Sequence, residues 1–127
     1  KRCEIITKTM PIFTVSVHQN SYTQEYVNGA QVFYFGQSKE GKELAETIQA
    51  SLKKNLNPQN NRVAKANESY YLLKKTPTPT VIVECGFLSN PDETLLLSDK
   101  TYQKKLAQAI YIGITDYLNQ AYPKYLQ

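Results

Sequence analysis

Only one histidine, His18, occurs in 127 residues, which excludes a metal site built from histidines of this chain alone. The two cysteines, Cys3 and Cys85, are too few for a disulfide framework and lack Cys-x-x-Cys metal spacing. No apolar run approaches the ~20 residues that cross a bilayer, so no transmembrane segment is expected in this chain. It opens with neither a methionine nor a basic-then-apolar leader. Cys3, Ile5 and Ile6 instead read as the tail of an apolar helix face, and the chain is expected to be a piece of a longer protein. Internal repeats and low-complexity tracts are also missing.

What is present suits one α/β domain over residues 1–127. Hydrophobic residues make up 41% and charged residues 20%, neither a disordered nor a membrane composition. A net charge of +4 would suit an acidic partner, but the basic residues fall in scattered pairs, Lys53-Lys54, Lys74-Lys75 and Lys104-Lys105. With no basic stripe and no RNA-binding aromatic signature, no nucleic-acid partner is expected.

Along the chain, Ile12-Phe13-Thr14-Val15-Ser16-Val17 is β-branched and aromatic and predicts a buried strand after Pro11. A polar loop follows to Gly29, then a second strand over residues 30–35. Ser38 can cap a helix over residues 38–56, where Leu44, Ile48 and Leu52 form one apolar stripe. Val63, Ala64 and Ala66 suggest a helical turn, and Tyr70-Tyr71-Leu72-Leu73 a short strand. Thr76-Pro77-Thr78-Pro79 is extended and leads into Thr80-Val81-Ile82-Val83-Glu84, the most strand-like run. Asn90-Pro91-Asp92-Glu93 predicts a helix start. Ser98 or Asp99 then caps a final helix carrying Leu106, Ile110, Ile114 and Tyr117, with Tyr102, Tyr111 and Tyr117 as core or boundary residues. Alternating strands and helices argue for a twisted, mostly parallel or mixed sheet flanked by helices, with the N-terminal part of the domain missing.

Two polar residues stand where apolar runs stop. His18 closes one strand and Glu84 another, and carboxyl ends of strands are where open α/β sheets place ligands. Taken alone, such a histidine is most often a hydrogen-bonded loop residue and such a glutamate a cap or ion-pair partner. Cys85 beside Glu84 invites a Cys–His nucleophile, but neighbouring strand residues point to opposite faces, which favours a buried, inert thiol.

Together the local sequences say more. Ser16-Val17-His18-Gln19-Asn20-Ser21 resembles the Ser-Ile-His-x-Asn motif of zinc-dependent N-acetylmuramoyl-L-alanine amidases of the amidase 3 family. Val83-Glu84-Cys85-Gly86-Phe87-Leu88-Ser89-Asn90-Pro91 is similar to that family's Val-Glu-x-Gly-Phe-Leu-Ser-Asn motif. Between them, Gly29, Asn61-Arg62 and Tyr71-Leu72-Leu73 also match in order. Val63, where many relatives have Gly, and Tyr71-Leu72-Leu73-Lys74 look more like the sporulation amidases that prepare spore cortex.

The resemblance implies a peptidoglycan hydrolase that cleaves the amide between N-acetylmuramic acid and L-alanine. It implies a Zn2+ held by two histidines and a glutamate, with His18 the later histidine ligand. Glu84 would be the catalytic glutamate, and Asn20 a group orienting ligand or substrate. The family's first histidine, in a Gly-His-Gly-Gly loop, and its ligand glutamate are expected upstream of Lys1, as is an export signal for work outside the cytoplasm, in cell wall or spore cortex. The resemblance leaves room for a protein partner, and a non-catalytic wall- or partner-binding module that kept the fold is the alternative.

Overall fold

The computed structural model describes residues 1–20 and 27–123. In chain order its elements are α1 (Arg2–Thr9), β1 (Thr14–Asn20), β2 (Gln31–Tyr34), α2 (Lys39–Asn55), β3 (Lys65–Ala66), α3 (Tyr71–Lys74), β4 (Thr80–Phe87), α4 (Pro91–Ser98) and α5 (Lys100–Ala121). The strands form one mixed sheet in the order β1-β4-β2-β3. β1 and β4 run parallel, with Thr14 opposite Thr80 and His18 opposite Glu84, whereas β2 lies antiparallel to β4, with Gln31 opposite Glu84.

β4 lies in the interior because its residues suit both faces: every residue from Thr80 to Phe87 is buried. Val81, Val83 and Cys85 face the main core with Val32 and Tyr34 of β2. Against that side lies α2, whose Leu44, Ile48 and Leu52 are wholly buried, each contributing about 1.5–3 kcal/mol of transfer free energy. Ser38 starts this helix, its Oγ accepting the Gly41 N–H at 3.0 Å. Gln49 ties α2 to β2, accepting the Val32 N–H at 2.8 Å and donating to the Ala30 carbonyl at 3.1 Å. α5 covers α2 with Leu106, Ala109, Ile110 and Tyr117. The two helices approach so closely that a Cβ on Gly113 would stand 2.8 Å from Ile48 Cα.

The opposite face carries a smaller cluster: Phe33, Leu73 and Ile82, with Phe35, Tyr70 and Leu72 packed on it. Here the structure corrects the sequence reading. Lys65–Ala66, expected as helix, is a two-residue strand because it pairs with Phe33 and Tyr34. Tyr71–Lys74, expected as strand, is a helical turn. Asn67 Oδ1 closes the turn just before it by accepting the N–H groups of Ser69 and Tyr70 at 2.9 and 2.7 Å. Tyr111 also departs from expectation: it is exposed, whereas Tyr117 is in the core. α4 and α5 begin as predicted, on Asn90 and Asp99.

Candidate active site

His18 and Glu84 are register partners on neighbouring strands, so their side chains leave the same face of the sheet. With Ile82 they line one cleft of about 370 Å3. Glu84 is only 7% exposed, and its Oε2 has no hydrogen-bond partner among the described residues. Burial raises the Glu84 pKa, and the neighbouring charge of His18 opposes that shift. The His18 Nε2 shares a hydrogen bond of 2.7 Å with Ser16 Oγ, two residues back on the same face. Ser16 thereby orients the ring.

α3 makes a wall of this cleft with Tyr70, Tyr71 and Leu72, and the first turn of α1 brings Lys1, Arg2 and Cys3 to its rim. Tyr70 is held edge-on against Phe33, ring centroids 5.8 Å apart. Burial, with the charge of Glu84 adding to it, raises the Tyr70 pKa, so the phenol stays a proton donor at neutral pH. Tyr71 is 68% exposed, an aromatic ring presented to whatever enters. Sequence reasoning missed this wall because it read Tyr70-Tyr71-Leu72-Leu73 as a strand; the Asn67 turn just before it was the available signal.

Cys85 behaves as the alternation predicted. It lies in the main core, and burial, with Glu84 adding to it, pushes its thiol up to about 11. A thiol so protonated and enclosed is no nucleophile at neutral pH. The backbone of Asn20 pairs opposite Phe87 at the end of β1, and its side chain lies outside the described residues, as does Ser21.

One imidazole and one carboxylate with an unpartnered oxygen fit one corner of a metal–water site. Among the described residues, no group of three or more His, Cys, Asp or Glu could hold a metal ion.

The chain is similar to known proteins in both sequence and fold. A family profile described as N-acetylmuramoyl-L-alanine amidase matches residues 1–116. The germination-specific N-acetylmuramoyl-L-alanine amidase of Bacillus subtilis is 36% identical over 120 residues, 94% of this chain. The CwlD amidase of Clostridioides difficile, solved in complex with the GerS lipoprotein, superposes with a TM-score of 0.90 at 47% identity over 93% of this chain. The chain spans 50% of the length of the Bacillus relative and 60% of the Clostridioides chain. From its matched residues and the shared fold, the chain belongs to the N-acetylmuramoyl-L-alanine amidase family.

Proposed function

We propose that this chain is the C-terminal part of a single zinc-dependent amidase domain, completed by residues preceding Lys1. The domain would hydrolyse the amide joining the lactyl group of N-acetylmuramic acid to L-alanine in peptidoglycan. The observation that carries the reading is the pairing of His18 with Glu84 on one face and in one cleft.

His18 would supply one zinc ligand, with a further histidine and a glutamate coming from the preceding residues. When bound, zinc supplies a Lewis acid that lowers the pKa of water and polarises the scissile carbonyl. Glu84 is the proton carrier. Its buried carboxylate accepts a proton from the attacking water and passes it to the leaving nitrogen. Desolvation suits this role, since it brings the pKa of Glu84 up toward the working pH. Ser16 keeps the His18 ring from turning, and Asn20 orients ligand or substrate from the end of β1. Tyr70 can donate a hydrogen bond to a carbonyl in the cleft, and Tyr71 packs against the substrate. Lys1 and Arg2 at the rim favour the carboxylates of the stem peptide.

The names of relatives, a germination-specific amidase and a probable cell wall amidase, support work outside the cytoplasm, in cell wall or spore cortex, and the sporulation subgroup. The solved complex of the Clostridioides relative supports a lipoprotein partner.

The test uses the full-length, zinc-loaded protein. His18→Ala should lose zinc together with activity. Glu84→Gln should keep zinc while turnover of muropeptide falls ~10²–10⁴-fold. A folded, zinc-loaded Glu84→Gln protein at full rate would remove Glu84 from the chemistry. Failure of the unaltered protein to bind zinc or cleave would point to a wall-binding module.

A further inference from the structure

Immediately after Glu84 the sheet loses its regular pairing. The β2·β4 register ends at Gln31 opposite Glu84. On the other side, His18 faces Glu84 but Asn20 faces Phe87, so β4 takes three steps where β1 takes two. The extra residue makes a bulge, which leaves backbone amides without ladder partners and re-aims nearby side chains. A carboxylate fills that gap. Glu93 Oε1 accepts the Phe87 N–H at 2.8 Å, and both its oxygens accept the Gly29 N–H at 3.1 Å. One side chain thus joins the end of β4 to the segment leading into β2, in place of the missing ladder bonds.

The surroundings are shaped around this carboxylate. Glu93 is only 8% exposed, and a buried carboxylate is tolerated only where donors meet it, as they do here. It sits in the first turn of α4, its own N–H held by Asn90 Oδ1 at 3.1 Å. A Cβ on Gly86, inside the bulge, would stand 3.2 Å from Glu93 Oε2. Gly29 has φ +100°, and a Cβ there would stand 2.9 Å from Asn60 Oδ1, so its N–H reaches Glu93 through a backbone shape that favours glycine.

We propose that Glu93 is a positioning residue for the reaction: by locking the bulge after Glu84, it fixes the direction in which Glu84 enters the cleft. The proposal rests on the role of Glu84 given above. Glu93 does not line the cleft that holds His18 and Glu84. It acts through the backbone between Glu84 and Phe87.

The experiment is a double-variant cycle on the full-length, zinc-loaded enzyme, following muropeptide turnover, zinc content and thermal melting. Glu93→Gln keeps the size of the side chain but removes its charge. With its oxygen in the Oε1 place, it sets an amide NH2 where Oε2 met the Gly29 N–H, leaving Gly29 and Phe87 to share one acceptor. Its kcat should fall about 10- to 100-fold, the usual effect of misplacing a reacting group, while zinc is retained and KM stays within about twofold. In a Glu84→Gln background the same change should cost nothing further, because the group it positions has gone. Gly86→Ala, which crowds Glu93 Oε2 by a few tenths of an ångström, should give a smaller loss of kcat. It carries the test if Glu93→Gln does not fold. Wild-type kcat per folded, zinc-loaded molecule in either variant would overturn the proposal, as would two losses that simply multiply in the double variant. Full activity of Glu84→Gln alone would instead overturn the reading of Glu84, which the same cycle reports separately.

Discussion

At Glu84 the fold encloses a carboxylate, and one of its oxygens, Oε2, finds no partner among the described residues. Burial raises its pKa, so the folded state holds the proton more tightly than the unfolded chain does. Its contribution to stability is therefore full below the ordinary value of 4.5 and is lost as pH rises through the raised folded value. In metal-free protein, Glu84→Gln should raise the melting temperature at neutral pH. The gain comes from removing the buried charge and not from pairing Oε2, so it should fade as the medium is acidified and the carboxyl takes up its proton. Melts across a pH series check this, and an unchanged neutral melt would contradict it. His18 and Glu84 stood out in the sequence as polar residues where apolar runs stop, but only the family resemblance gave them roles, and their strands run on past them to Asn20 and Phe87. Glu93 was not legible as a buried anchor. Asn90-Pro91-Asp92-Glu93 marked a helix start, but the donor Gly29 is 64 positions away, and nothing local announces the contact.

Among the elements, α2 and α5 were plain in the sequence because their apolar residues keep helical spacing over many turns. β3 and α3 were exchanged. Two residues of strand owe their state to pairing with Phe33 and Tyr34, and one turn of helix follows a turn closed by the side chain of Asn67. Neither is long enough for periodicity to speak. The crossing of α2 and α5 depends on Gly113, where no side chain keeps the helices apart. Gly113→Ala should force a shift against the Ile48 backbone and cost about 1–3 kcal/mol, seen as a lower denaturant midpoint. Unchanged stability would show that the crossing relaxes freely. Asn90→Ala removes the acceptor of the Asp92 and Glu93 N–H groups and should cost about 1 kcal/mol. Because α4 also carries Glu93, the same variant should lower turnover more than its loss of stability explains.

Taken whole, the described sheet divides the chain into a thick side, filled by α2, α4 and α5, and a thin side that holds the cleft. That Glu84 and Cys85 face opposite sides was legible from strand alternation, but which side is thick was not, since every residue of β4 is buried. The antiparallel placement of β2 was not, since strand direction depends on connections that composition does not encode. β1 is the terminal strand of the described sheet. The 127 residues alone should bind zinc weakly and release no peptide from muropeptides, as dialysis against zinc and product chromatography would reveal. Robust turnover by them would show that the ligand assignment is wrong. The two faces also differ in the thiols they carry. Cys3 borders the cleft and is partly open to solvent, whereas Cys85 is sealed in the core with its thiol pushed up to about 11. Alkylation of Cys85 must wait for the core to open, so its rate meters global unfolding. Alkylation of Cys3 is slowed by whatever fills the cleft. A single labelling experiment therefore reads two gauges in one sample, one for the integrity of the fold and one for occupancy of its working face.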